Sequence, residues 1–235
     1  MLIYRPSSAR GRTQTGWLDG RHTFSFGHYR DPEWAHFGAL RVINEDRVAS
    51  SSGFPPHDHE NMEIITIVLS GALSHQDSLG NAATIRPNEI QMMRAGTGIE
   101  HSEFNASKTE PVHLLQIWIM PHTRGLKPGY QQRALNASER AGKWQTVVAP
   151  IEDNIQDAFD IAADARLSLA ALLPQQSLAI PAEPKRKYWL QVASGNAKYG
   201  NQILSAGDGL GISGEPSANL VAAENSELLL FDLAA

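Results

Sequence analysis

Short apolar runs rich in β-branched and aromatic residues alternate with Gly, Pro, Asn and Asp breaks along the whole chain, at residues 38–43, 62–69, 112–120, 166–173, 188–192 and 227–233. Long stretches with the 3.6-residue period of a helix are missing. This pattern predicts an all-β sandwich or barrel. Laid over one another, the runs also repeat. Ile65-Thr66-Ile67-Val68-Leu69-Ser70-Gly71, with Gly80-Asn81 and Pro87-Asn88-Glu89 after it, has a counterpart in Trp189-Leu190-Gln191-Val192-Ala193-Ser194-Gly195, with Gly200-Asn201 and Ala206-Gly207-Asp208 after it. Gly-Asn pairs supply the positive φ of tight hairpins, so each copy reads as a strand, hairpin, strand unit and the chain as two related β-lobes.

The lobes differ in chemistry. All nine histidines lie at or before His122, and the second lobe has none. The expected organisation is a metal-binding lobe over residues 1–122, a linker and docking segment over 123–147 marked by Gly125, Pro128 and Gly129, and a second lobe without metal ligands over 148–235.

Composition narrows the function classes. The 235 residues carry a net charge of −5 and no long basic run, which argues against nucleic acid as a partner. Lys185-Arg186-Lys187 reads as the solvated entry to a strand. Without cysteine there is no disulfide, thiolate site or cysteine nucleophile, so any metal rests on nitrogen and oxygen. Met1-Leu2-Ile3-Tyr4-Arg5-Pro6 lacks a signal peptide's apolar stretch, and no run reaches the length of a membrane span. A cytoplasmic monomer with no membrane partner is expected.

The candidate chemistry lies in two ligand pairs, His57-x-His59 after Gly53-Phe54-Pro55-Pro56, and His101-x-Glu103 after Gly96-Thr97-Gly98. On a strand, positions i and i+2 leave one face about 6.7 Å apart. Ligand atoms around one metal lie only about 3 Å from each other, a gap that leaning imidazoles can close. Asp58 and Ser102 point the other way. Glu63 shares the parity of His57 and His59, so spacing leaves it open as an alternate ligand or a neighbour of the metal.

These residues resemble the cupin pattern. His57-x-His59-x3-Glu63-x7-Gly71 is similar to the first cupin motif, although the run to Gly71 is one residue longer than usual, and Gly98-x2-His101-x3-Asn105 is similar to the second, with Gly96 where proline is usual. More specifically the chain resembles the pirin family, in His22-Thr23-Phe24-Ser25-Phe26 with Tyr29 and Asp31-Pro32, in Gln76-Asp77-Ser78, in Ala95 through Glu103, and in Gln116-Ile117-Trp118-Ile119-Met120-Pro121. The resemblance implies a bicupin, two double-stranded β-helix lobes in one chain. It implies one divalent transition metal, with Fe2+ expected and Ni, Co, Mn, Cu or Zn compatible with the donors, held by His57, His59, His101 and Glu103.

The short, histidine-free second lobe looks more like the bacterial quercetin 2,3-dioxygenase branch of that family than like mammalian pirin. The expected activity is therefore opening of the central ring of a flavonol by O2 with release of CO, Glu103 taking the substrate's hydroxyl proton. Phe24, Phe26, Ile65, Met92, Trp118 and Met120 are candidates for an apolar pocket around a small aromatic substrate, with His22 and Gln116 as polar groups. His28, His36, His75 and His113 are read as surface or core histidines, and His122 as part of the linker. Two alternatives share the site: a metal-bound regulatory module that binds a protein partner, and another cupin reaction such as isomerisation or decarboxylation.

Overall fold

The computed structural model describes residues 1–235. In chain order the first strands are β1 (Leu2–Arg5), β2 (Gly11–Gln14), β3 (Leu18–His22), β4 (Leu40–Val48), β5 (Gly53–His59), β6 (Glu63–Ser70), β7 (Leu73–Asp77), β8 (Ala82–Ile85), β9 (Glu89–Arg94), β10 (Ile99–Asn105), β11 (Val112–Ile119) and β12 (Gly129–Ala134). They are followed by β13 (Gln145–Pro150), β14 (Phe159–Ile161), β15 (Ala165–Leu172), β16 (Ser177–Ile180), β17 (Arg186–Ser194), β18 (Asn196–Tyr199), β19 (Gln202–Ser205), β20 (Gly209–Ser213), β21 (Ala218–Ala222) and β22 (Ser226–Ala234). The helices are single 3-10 turns, and none is long and apolar enough to cross a membrane.

Two compact units divide the chain, one made of Gly11–His36 and Leu40–Leu135, the other of Met1–Arg10, Phe37–Ala39 and Asn136–Ala235. In the first, a seven-stranded sheet of order β12-β9-β6-β11-β4-β3-β2 faces a four-stranded sheet of order β5-β10-β7-β8. The second has sheets of order β1-β20-β17-β22-β15-β13-β14 and β16-β21-β18-β19. The orders match position for position, save that β14 runs parallel to β13 while β2 runs antiparallel to β3. Both units are all-β, and the duplication legible in the sequence is a duplication of topology.

The observed division departs from the expected boundaries: residues 1–10 and 37–39 belong to the second unit, and the expected linker is divided between the two units at residues 135 and 136. Residues 1–10 belong to the second unit because β1 lies antiparallel on β20, with Leu2 opposite Ile212. Residues 123–135 belong to the first unit because β12 pairs with β9, with Gly129 opposite Arg94. Both pairings join segments far apart in sequence, which a local hydrophobic pattern cannot register.

Between the sheets of the first unit, residues sort into three bands. Ile64, Met93, Ala95 and Ile99 form one apolar cluster, and Val68, Leu73, Ile85, Val112 and Leu114 belong to another. Alternation along each strand puts Thr66 between Ile64 and Val68 on the inward face of β6, and Gln116 beside Leu114 on that of β11. A polar layer therefore lies between two dry ones, braced by apolar packing on either side.

The repeat's shared glycine has a specific function. Gly71 and Gly195 both end a central strand at φ 80°, a region that favours glycine. A Cβ at Gly71 would sit 2.8 Å from the Pro111 carbonyl oxygen, and at Gly195 2.2 Å from that of Asn225. Gly195→Ala is expected to lower stability by about 1–3 kcal/mol in urea unfolding, from φ strain and backbone overlap together. An unchanged midpoint would show that the turn relaxes freely.

Candidate metal centre

Strand β5 lies at the edge of the smaller sheet, which is why it tolerates Pro55 and Pro56 without losing ladder hydrogen bonds. Opposite it, β10 pairs in a register that sets His101 across from His57 and Ile99 across from His59. The register then shifts, so that Glu103 faces Phe54. The shift consumes one extra residue of β5 at the prolines, a bulge of the kind that re-aims side chains at strand edges.

This register gathers three imidazoles. Ring centroids lie 4.8 Å apart for His57 and His59, 4.5 Å for His57 and His101, and 4.8 Å for His59 and His101. The Nε2 atoms of His57 and His101 are 3.1 Å apart, the spacing of neighbouring donors around one ion at bond lengths of about 2.1 Å. His57 Nδ1 is 2.8 Å from the Pro55 carbonyl oxygen. Since a carbonyl can only accept, Nδ1 carries the proton and Nε2 presents its lone pair. Burial lowers the pKa of His59 to about 4, with His57 adding to the effect and Asp58 opposing it. Burial takes His101 down to about 2, helped by His59, His57 and His75 and opposed by Asp77. Both are neutral at physiological pH, the form a metal requires.

Glu103 completes the donor set. Its Oε2 accepts from Gln116 Nε2 at 2.7 Å, and the Gln116 Oε1 in turn accepts from Trp118 Nε1 at 3.2 Å, so the amide can face only one way. Oε1 is buried with no hydrogen-bond partner. Burial pushes the Glu103 carboxyl up to about 7, which the Gln116 bond partly opposes. A buried carboxylate oxygen without a donor is costly, and a divalent cation is the partner that would offset it. Three neutral imidazoles and one such carboxylate, without sulfur, fit one divalent transition metal.

A fourth histidine stands beside the set. His75 is directly opposite Glu103 on β7, its ring 5.3 Å from His101 and stacked 4.8 Å from Tyr130. The nitrogens of His75 and His101 and a carboxylate oxygen of Glu103 all lie within 4.8 Å of one another. Yet Nε2 of His75 donates to Asp77 at 3.1 Å, and Nδ1 accepts from Gln91 at 3.2 Å. With both nitrogens engaged, His75 walls the centre and has no lone pair left for it. The signal was present in the sequence as His75-x-Asp77, two polar groups at strand period.

Glu63 lies elsewhere. Ile64 packs inward against Met93 and Ile99, so Glu63 points to the opposite face of β6, where Arg94 Nε donates to it at 2.7 Å. The parity counted from His59 fails because the chain turns at Asn61, with φ 50°, and enters the other sheet. A cavity of about 410 Å³ opens from the centre and is lined by His57, His59, Glu103, Gln116, Trp118 and Phe26, with His22 further along. Phe24, Met92, Ile65 and Met120 do not line it. Met92 and Ile65 occupy the strand faces opposite those of Gln91 and Thr66. Leu18, Asn44, Asp46 and Phe54, which the sequence reading did not single out, do line the cavity, as does His28, expected from the sequence to be a surface or core histidine.

The second unit shows the same topology without the chemistry. Matching registers place Ile180 where His57 stands, Ala218 for His101, Leu220 for Glu103 and Tyr199 for His75. They likewise place Leu190, Leu210 and Leu230 at the positions of Thr66, Gln91 and Gln116. All of these belong to or pack against one apolar cluster. Each buried leucine is worth about 1.5–3 kcal/mol, so this layer stabilises the second unit where the first keeps a polar chamber.

Two family models match the chain. The Pirin family model matches residues 4–119, and the model described as the quercetinase C-terminal cupin domain matches residues 147–233. A protein of Escherichia coli (strain K12) named quercetin 2,3-dioxygenase is 43% identical over 233 residues, covering 99% of each chain. A pirin-like protein of Caulobacter vibrioides is 38% identical and covers 100% of each. The crystal structure of the bacterial pirin YhhW from Escherichia coli in complex with nickel(II) superposes with a TM-score of 0.93 at 42% identity, covering 100% of this chain and 99% of that one.

Two measurements test the donor set. His101→Ala is expected to lose most bound metal by elemental analysis, while Glu63→Gln retains it and lowers the melting temperature by disturbing the Arg94 pair. Metal retained in the first variant and lost in the second would reverse the assignment. Metal uptake below pH 7 should also displace the Glu103 proton, because the carboxyl held near 7 must ionise to bind. Calorimetry at pH 6 in buffers of differing ionisation enthalpy should find Glu103→Gln releasing about one proton fewer than the parent chain, the difference fading by pH 8. Equal release at pH 6 would remove Glu103 from the set.

Proposed function

The chain belongs to the pirin family, and from that premise we propose that it is a metal-dependent dioxygenase that opens the central ring of quercetin-like flavonols. One flavonol and one O2 become one ring-opened ester and one CO, with no outside electron donor. Support comes from the donor set His57, His59, His101 and Glu103 opening directly into a cavity with aromatic walls. At about 410 Å³ its volume lies within the usual range for small-molecule sites.

The chain's own groups divide the work. A bound divalent metal, Fe2+ by expectation, supplies Lewis acidity and open coordination positions. Glu103, ionised when the metal is bound, is placed to accept the proton of the flavonol 3-hydroxyl. Gln116 holds Oε2 of that carboxylate and so fixes the orientation of Glu103 in the centre. Trp118 keeps Gln116 in place and meets Phe26 edge to face at 5.4 Å, so the two rings form a corner against which a flat ligand can lie. Phe54 adds a further apolar wall, and exclusion of water strengthens each polar contact within.

The test is oxygen uptake and loss of the flavonol absorption band when quercetin meets metal-loaded protein, with CO trapped in the headspace. Glu103→Gln, assayed at saturating metal, should slow turnover by about 10²–10⁴-fold. No oxygen uptake with Fe, Mn, Co, Ni or Cu would sink the dioxygenase reading and leave another reaction on the same donors.

A further inference from the structure

Cross-strand register extends the polar layer beyond the metal donors. Gln116 on β11 is directly opposite Asn44 on β4, and Asn44 is directly opposite His22 on β3. Cross-strand partners share a face of the sheet, with Cβ atoms about 4.5–5.5 Å apart, so the three side chains form one row. The row begins at Glu103, which Gln116 holds. It ends at Thr13, whose Oγ1 is 2.8 Å from His22 Nε2.

Within this row Asn44 is the one placed to meet a ligand. It is 2% exposed and lines the cavity. His22 Nδ1 is 2.8 Å from its Oδ1, and because that oxygen can only accept, Nδ1 carries the proton. His22, fixed from its other side by Thr13, therefore sets the amide's orientation. The Asn44 Nδ2, with two N–H donors, makes no hydrogen bond within the chain. A donor amide held in place on a cavity wall, with its N–H groups open to the cavity, is a recognition group for a ligand acceptor.

We propose that Asn44 is a specificity-determining residue of this cavity, and that it selects ligands with an acceptor oxygen beside the hydroxyl that meets Glu103. The chemical class is a planar aromatic with a vicinal hydroxyl and carbonyl. Flavonols have that pair at their 3-hydroxyl and 4-carbonyl, so the inference rests on the functional reading above and makes it narrower. His22 and Thr13 are positioning residues that act through Asn44. Hydroxylated aromatics without the carbonyl lose the Asn44 bond and leave its N–H groups buried, a mismatch that discriminates more strongly than a lost apolar contact.

The experiment is equilibrium binding to zinc-loaded protein without oxygen, followed by tryptophan quenching, with quercetin and with catechin, which keeps the hydroxyls and lacks the carbonyl. Asn44→Ala is expected to weaken quercetin binding about tenfold and leave catechin unchanged. Asn44→Asp keeps the shape and can still accept from His22 but turns an acceptor toward the ligand carbonyl, so it should weaken quercetin further. His22→Ala should weaken quercetin less than Asn44→Ala, and His22→Gln, which can still donate to Asn44, should restore part of the loss. Zinc content by elemental analysis should stay at the parent value throughout. If the parent chain binds no flavonol, the functional reading fails and carries this inference with it. If the parent chain and both Asn44 variants bind quercetin alike, the inference fails alone.

Discussion

The antiparallel register between β5 and β10 is the constraint on which the rest of the first unit depends. It sets His101 opposite His57, and the single-residue shift at Pro55 and Pro56 lets Glu103 fall opposite Phe54. A slip of one residue in β5 would turn His57 and His59 to the outer face of the sheet and part them from His101, since side chains alternate. The edge position of β5 makes the arrangement workable, because an edge strand can absorb two prolines and a bulge that a central strand cannot. It also opens the centre onto a cavity, whereas His101 and Glu103, one strand further in, are buried.

Holding polar side chains between two sheets requires help from both sides. Thr66, Gln91 and Gln116 would be poor core residues alone, but Thr66 lies between Ile64 and Val68, Gln116 between Leu114 and Trp118, and Gln91 beside Met93. Those neighbours bring the sheets together, and the hydrogen bonds from Gln116 to Glu103 and from Gln91 to His75 then orient what lies between. The second unit is an internal control. With the same strand order it has leucines in the layer that is polar in the first unit, which separates what the topology requires from what the metal requires. The fold needs the layer filled, and the chemistry needs it polar.

Much of this was legible beforehand because it is local. Strand period, hairpin glycines and the repeat around Gly71 and Gly195 depend on neighbours within a few residues. The His57/His59 and His101/Glu103 pairs stand out because ligands at i and i+2 share a face whatever the strand's partners are. Glu63 misled for the reciprocal reason: parity holds only within one strand, and the turn at Asn61 begins another. Asn44 was passed over because its importance lies in its cross-strand neighbours, Gln116 and His22.

By itself, then, the sequence determined an all-β chain with two related lobes, donors confined to the first of them, and a nitrogen and oxygen set free of sulfur. These follow from short-range periodicity and from which side chains exist at all. Only the tertiary structure decided that residues 1–10 complete the second unit, that Glu63 answers Arg94 rather than the metal donors, and that a row from Glu103 through Gln116 and Asn44 to His22 floors the cavity. The reason is common to all three: backbone pairing in a β-sheet joins residues far apart in the chain, and register is settled by the packing of whole faces rather than by any local run.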